Sequence, residues 1–298
     1  FFLFFFFFFC VFFFNTGSGQ LRAAAQQRMI NLKRFVKNLF VQAGFLPVLD
    51  RLLYLRSKWS YGPDNRRFKQ EHPDFPLPPD YYLYETYKLN YREYREDGLQ
   101  TAREMLEWSA RYGCPQQQIL EWGCGVGRII RHMPRLLQPQ AAVTGVDINP
   151  AMIEWNKSNL PGITFYTIEY NPPTPLPAAS FDLIYALSVF THIEDGQQEG
   201  WLQEMHRLLK DDGLFLFTTH GQRFFEQLNR DEQQTLNQSG SYTIGYRERG
   251  HRMMTTYNLP AAFRRKAEAY FTILEFHDGA ANRNKVGGQD LWIAQKKA

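Results

Sequence analysis

Cysteine is scarce in this chain of 298 residues: only Cys10, Cys114 and Cys124 occur. An odd, scattered set excludes a disulfide scaffold and suits a reducing compartment, hence a cytoplasmic setting. No Cys/His spacing resembles a zinc site, so no metal is expected. Strong net charge is also missing. The formal charge is +4, and residues 1–60 carry eight Lys/Arg against one Asp, or +7, which leaves −3 for the rest. The basic surplus therefore belongs to an N-terminal extension, and the main body has no global pull on nucleic acid. An apolar run of about 20 residues, the length that crosses a bilayer as a helix, is absent as well.

The nearest to such a run is residues 1–14, FFLFFFFFFCVFFF, with Cys10 inside it. It has no basic leader, and three readings stand: an artefact of the sequence boundary, a membrane-associating segment, or a packed segment. Residues 15–20 read as a flexible joint, so residues 1–20 form a tract and linker. Leu21 to Ala43 has Met29, Leu32, Phe35, Val36, Leu39 and Phe40 at helical spacing, with Arg22, Arg28, Lys33, Arg34 and Lys37 between them. A basic amphipathic helix of this kind lies in a membrane interface or packs on a flank. Phe45 to Leu55 is a second short apolar-basic segment broken at Pro47. Residues 59–80, rich in Pro and charge, read as a connection. Residues 21–80 thus form a helical extension with its connection.

What is plentiful is tyrosine and, further on, regular alternation. Tyr81 to Tyr94 holds six tyrosines, and one helix would put Tyr84, Tyr87 and Tyr91 on a common face at the mouth of a site. Glu85, Glu93, Glu96 and Asp97 among them oppose a phosphate backbone. Leu99 to Tyr112 predicts another helix. From Gln118 strands and helices alternate: strand 119–121, helix 127–137, strand 142–146, helix 151–159, strand 163–168, strand 181–186, helix 197–209 and strand 214–218. Alternation of this kind specifies an α/β domain with a mostly parallel sheet and helices on both faces. Ligands of such sheets bind beyond the strand C-termini. Gly123–Gly127, Asp147, Glu169 and Ser188–His192 all fall at such ends. Residues 222–257 form a long connection that ends in a strand or hairpin. A helix (259–270) and strands 271–276 and 289–295 close the chain.

At the first of those strand ends stands ILEWGCGVGR, residues 119–128. Glycines at 123, 125 and 127 let a ligand approach the backbone, and Arg128 stands where a dinucleotide fingerprint has its third glycine. Asp147 follows Gly125 by 22 residues, near the spacing at which an acid meets a ribose diol. This E-x-G-x-G-x-G pattern resembles motif I of the class I S-adenosylmethionine-dependent methyltransferases. DINPAMI (147–153), PLPAASFDLIYALSVFTHI (175–193), LLKDDGLFLFTTH (208–220) and GGQDLWIAQKK (287–297) are similar to later segments of a bacterial subgroup. Together they cover residues 81–297.

The resemblance implies a Rossmann-like seven-stranded sheet with an antiparallel last strand, in a methyltransferase domain spanning residues 81–298. Its cofactor would be S-adenosylmethionine. Gly123, Gly125 and Gly127 would admit the methionine part, Glu121 would orient the loop or meet the ammonium, and Cys124 would fill space there. Asp147 would take the ribose hydroxyls, Ile148 and Met152 the adenine. Glu169, with Asn171 competing, would meet the adenine amine, and Ser188 and Val189 would border the sulfonium. His192 is the first candidate base, with helix capping as its alternative role, and His220 the second. Tyr84, Tyr87, Arg249, His251 and Tyr257 are candidates for the acceptor. The implied reaction is O-methylation of a small-molecule or glycan-related acceptor, with possible peripheral membrane contact through residues 21–43. RNA or protein methylation, a non-catalytic scaffold and a nicotinamide-dependent oxidoreductase are the other readings.

Overall fold

The computed structural model describes residues 46–245, 254–281 and 286–297. Expectations for the Phe tract, the 21–43 helix, Arg249 and His251 lie outside these residues. Three helices lead in: α1 (Leu46–Glu71), α2 (Asp80–Thr86) and α3 (Tyr91–Arg111). The alternating part follows as β1 (Gln118–Trp122), α4 (Met133–Leu136), β2 (Ala142–Asp147), α5 (Pro150–Asn159), β3 (Thr164–Thr167), β4 (Phe181–Ala186), α6 (Asp195–Leu208) and β5 (Leu209–Thr219). The remainder is α7 (Gln222–Phe225), α8 (Arg230–Ser239), β6 (Ser241–Ile244), β7 (Thr255–Asn258), α9 (Pro260–Ala267), β8 (Phe271–His277) and β9 (Asp290–Lys296).

Seven strands form one sheet in the order β3-β2-β1-β4-β5-β9-β8. The first five pair in parallel, and β9 inserts antiparallel between β5 and β8. The expected fold class is what the chain adopts. Two apolar layers cover the sheet. Trp122, Phe190, Trp201, Phe217 and Trp292 belong to one; Met105, Ile119, Ile130, Tyr185 and Ile293 belong to the other. β4 is buried at all six positions, as a central parallel strand must be. β6 and β7 pair as the separate antiparallel hairpin anticipated near residue 257.

Three expectations need correction. Residues 59–71 are not a connection, because α1 runs unbroken from Leu46 through Pro63. Pro47 stands in the first turn, where no N–H is needed. Pro63 removes one helical bond, but it lies on the exposed side, where water can serve the freed carbonyl. The packed side, with Tyr54 and Phe68 buried, holds the helix straight onto α2 and α3. Second, Tyr81–Tyr94 is two helices. The chain leaves α2 at Tyr87, and Asn90 caps α3 by accepting from the Glu93 amide at 3.1 Å while Glu93 answers the Asn90 side chain. An Asn-x-x-Glu start signal was present in the sequence. Tyr84 and Tyr87 therefore diverge. Third, the helix expected over 127–137 shrinks to a 3₁₀ turn at 130–132 and the single turn of α4. Left-handed glycines at 125 and 127 and the N–H-less Pro134 leave little to propagate.

The helical layer is bolted to the loop after β1. Tyr94, fully buried in α3, donates its hydroxyl to the Val126 carbonyl at 2.6 Å and accepts from Arg131 at 2.9 Å. Asn65 of α1 donates to the Leu89 carbonyl and accepts from the Tyr91 amide, each at 2.9 Å. Gly98 lets α3 lie against the same loop: a Cβ there would stand 2.2 Å from the Arg128 carbonyl oxygen. Alanine in a helix interior normally stabilises by about 1 kcal/mol over glycine. At this contact the clash reverses the sign. Gly98→Ala should destabilise by about 1–3 kcal/mol, the usual cost of overpacking, in urea unfolding. A variant as stable as the parent or more so would refute the close approach.

Candidate functional site

The parallel strands end on a cavity of about 840 Å³. Its floor is the turn after β1. Gly123, Gly125 and Gly127 all have positive φ, and the Gly123 and Cys124 amides donate to the Val146 carbonyl at 2.8 and 3.0 Å. A Cβ on Gly123 would come within 2.4 Å of Val189 Cγ2. The bare backbone is thus what keeps this passage open. Asp147, at the end of β2, grips the turn. Its Oδ2 accepts from the Gly125 amide at 2.8 Å and its Oδ1 from the Asn149 amide at 2.9 Å. Burial pushes its carboxyl above the usual range, and those amides pull the other way. Asn156 of α5, wholly buried, donates to the Gly125 carbonyl at 2.8 Å.

Glu121 lines the same cavity at 4% exposure. Tyr185 of the neighbouring β4 donates to its Oε2 at 3.0 Å. Burial pushes the carboxyl up to about 8, and the Tyr185 bond and the positive field of Arg128 only partly offset it. A carboxylate held that high is short of positive charge, which suits a ligand carrying an ammonium. Cys124 also lines the cavity. Burial, with Asp147 and Glu121 nearby, raises its thiol well above normal, so it behaves as an apolar filler. Ile148 and Met152 line one wall, as do Ile168 and Tyr170.

At the end of β4 the backbone turns through Ser188, a non-glycine residue at φ 61. Its amide donates to Thr218 Oγ at 2.8 Å, Thr218 Oγ lies 2.5 Å from Gln289 Oε1, and Gln289 Nε2 lies 2.8 Å from Ser188 Oγ. One direction satisfies all three bonds. The Ser188 N–H can only donate, so Thr218 accepts it and gives its single hydrogen to Gln289 Oε1. Gln289 then donates to Ser188 Oγ, which keeps its own O–H for another partner. The flipped amide would strand the Thr218 hydrogen in a fully buried place. Val189 and His192 follow on the same wall. His192 Nδ1 lies 2.6 Å from the Met254 carbonyl. A carbonyl only accepts, so Nδ1 carries hydrogen and the neutral ring has its lone pair on Nε2.

The mouth comes from α2, α3 and the loop before β9: Thr86, Tyr87, Asp97, Thr101, Val286 and Gln289. Tyr87 donates to Asp97 at 2.5 Å, and Arg128 lies over its ring at 4.5 Å. Burial, then Asp97, raises the Tyr87 phenol, which stays a donor rather than a base.

Four expected residues stand elsewhere. Glu169 is exposed in the loop after β3 and does not line the cavity, while its neighbours Ile168 and Tyr170 do. Tyr84 sits against Tyr54 and points its hydroxyl at Asp50. Tyr257 is buried in β7 with Phe225, Leu228 and Leu236. His220 bridges to Tyr257 and packs its ring, tilted by 33°, against Phe224 at 4.2 Å between centroids, and burial pulls its imidazole down to about 3. Its place is in packing. Thr101, Arg128, Thr218 and Gln289 were missed. Only Arg128, adjoining the glycines, carried any signal.

Residues 119–213 match the family model described as "Methyltransferase domain". An uncharacterized methyltransferase of Oceanobacillus iheyensis is 33% identical over 113 residues, covering 37% of this chain and 49% of that protein. A malonyl-[acyl-carrier protein] O-methyltransferase of Geobacter sulfurreducens is 30% identical over 169 residues, covering 56% and 60%. The chain thus spans about half the length of such relatives. Among solved structures, an S-adenosylmethionine-dependent methyltransferase of Methanosarcina mazei has a TM-score of 0.47 at 20% identity, over 63% of this chain and 96% of that one. The matched residues run from β1 through the glycine turn, Asp147 and β4 into β5, and over this stretch the chain carries a methyltransferase domain like those of the class I S-adenosylmethionine-dependent enzymes.

Proposed function

We propose that the chain transfers a methyl group from S-adenosylmethionine to an oxygen of a small-molecule acceptor, glycan-related ones included. The observation that carries this is the cavity where the glycine turn, Glu121 and Asp147 meet the Ser188–His192 segment. The relatives named as O-methyltransferases support oxygen as the target. When bound, the cofactor supplies a methyl on a sulfonium already activated for displacement, so alignment and exclusion of water do much of the work.

The residues divide that work. The glycine turn passes close to the methionine part, and Glu121 takes its ammonium. Asp147 takes the ribose hydroxyls while it holds the Gly125 amide, and Ile148 and Met152 flank the adenine. Ser188 offers its hydroxyl hydrogen at the reacting end, aimed by Thr218 and Gln289. His192 removes the acceptor's proton through Nε2, its tautomer set by the Met254 carbonyl. Tyr87 and Arg128 border the acceptor's entry.

Three measurements test these roles. Asp147→Ala should weaken S-adenosylmethionine binding by about 1.5–3 kcal/mol, the scale of hydrogen bonds to a charged group. Unchanged affinity in calorimetry, with the variant folded, rules the role out. For Glu121 the sign follows from its raised carboxyl. The stability it contributes is complete below its ordinary value of 4.5 and lost as pH rises through about 8. The thermal midpoint of Glu121→Gln should therefore gain on the parent as pH climbs through that window. Parallel curves would show that the carboxyl titrates normally. His192→Ala should lower kcat by about 10²–10⁴ and remove the acidic limb of kcat/KM, leaving cofactor affinity intact. Near-parental kcat on the true acceptor would dismiss His192 as the base.

A further inference from the structure

Helix α1 is apolar on two sides. Tyr54, Asn65 and Phe68 face inward and are buried. On the opposite side Val48, Leu52, Leu55 and Trp59 stand exposed at i, i+4, i+7 and i+11, one straight stripe. Among the described residues, seven large hydrophobics are exposed, and these four and Leu53 are five of them; Trp59 is 84% exposed. Such concentration marks an interaction surface. Charge is sorted around it. Helical periodicity sets Arg51 and Lys58 along one edge and Arg56 and Arg67 along the other, with Arg66 continuing the line of the stripe; Lys58 also pairs with Asp80 at 2.9 Å and Arg67 with Glu71 at 3.4 Å. The carboxylates of α1, Asp50, Asp64 and Glu71, fall on the half turned away.

We infer that this face of α1 docks on an anionic lipid surface. An apolar stripe edged by cations and carrying tryptophan is what lies at a headgroup boundary, with the apolar side chains immersed and the cations among the phosphates. Two other occupants are opposed by charge. Residues 21–43 hold five Lys/Arg and no carboxylate, so covering the stripe with them sets cation against cation. A second copy, stripe to stripe, does the same. A lipid surface is the one that attracts both the edges of α1 and the segment before it.

The test is co-sedimentation of the full chain with vesicles of phosphatidylcholine alone or mixed with phosphatidylglycerol. Partition should be at least about 10-fold stronger on the anionic vesicles at low salt and fall steeply at high salt. Leu52→Glu/Trp59→Glu should lose about 10-fold or more. Arg56→Gln should lose about fivefold, the share of one cation near an anionic surface. Both variants should keep the parental affinity for S-adenosylhomocysteine, which reports a folded site independently of lipid. Equal partition on neutral vesicles, or parental partition by the double variant, overturns the assignment. Hydroxyl-radical labelling of vesicle-free protein adds a check. Trp59 should be oxidised far faster than buried Trp292. Equal protection of the two gives the stripe to residues 21–43. A dimer abolished by the double variant gives it to a second copy.

Discussion

One carboxylate ties the site together. Asp147 ends β2, yet its two oxygens hold amides on both sides of the cavity floor: Gly125 in the turn after β1 and Asn149 at the start of α5. The turn has glycine conformations at three alternate positions and few side chains to anchor it. Its shape is imposed from outside, by Asp147, by the Val146 carbonyl, by Asn156 beneath and by Tyr94 above. Two parallel strands and two helices packed on the same side of the sheet, α3 and α5, must be in place before that shape exists. The floor of the cavity is therefore a consequence of the assembled sheet rather than a local property of the glycine sequence.

The same logic explains what could be read in the sequence. The sheet was legible because buried parallel strands are apolar runs with breaks between them, as at 142–147 and 181–186. The floor of the site was legible because glycines at alternate positions and an acid at a strand end have few other uses. Strand and helix periodicity says little about residues whose role is set by another element. Gln289 matters because β9 inserts beside β5 and brings it to Ser188 and Thr218. No local pattern announces that. Tyr84, Tyr87 and Tyr91 share helical spacing, but one helix ends at Thr86 and Asn90 caps another that starts at Tyr91. His220 has the strand-end position of a working histidine, but the hairpin β6–β7 closes over it. In the α1 region proline misled, because tertiary packing of Tyr54 and Phe68 outweighs the one hydrogen bond lost at Pro63.

The electrostatics of the cavity are arranged by burial rather than by dense charge. Glu121 and Asp147 share the floor, and burial lifts both carboxyls. Two acids held above their ordinary values in one cavity make an environment that gains from an incoming positive group. At the mouth the balance is different. Arg128 lies over Tyr87, and Tyr87 is bonded to Asp97, so polar groups there are already matched. The inner end is thus set by buried acids and the outer end by polar groups paired with one another.

That division falls along the chain as well as through the cavity. The inner end is built from β1, β2 and β4, whereas much of the outer rim comes from α2 and α3, which precede the sheet. The two meet through a small number of joints, among them Tyr94 on Val126 and Gly98 against Arg128. Descendants of such a chain can exchange the rim, residue by residue between 85 and 104, and leave the cofactor floor untouched so long as those joints survive. Gly98, together with Tyr94, then limits which helices can be substituted there.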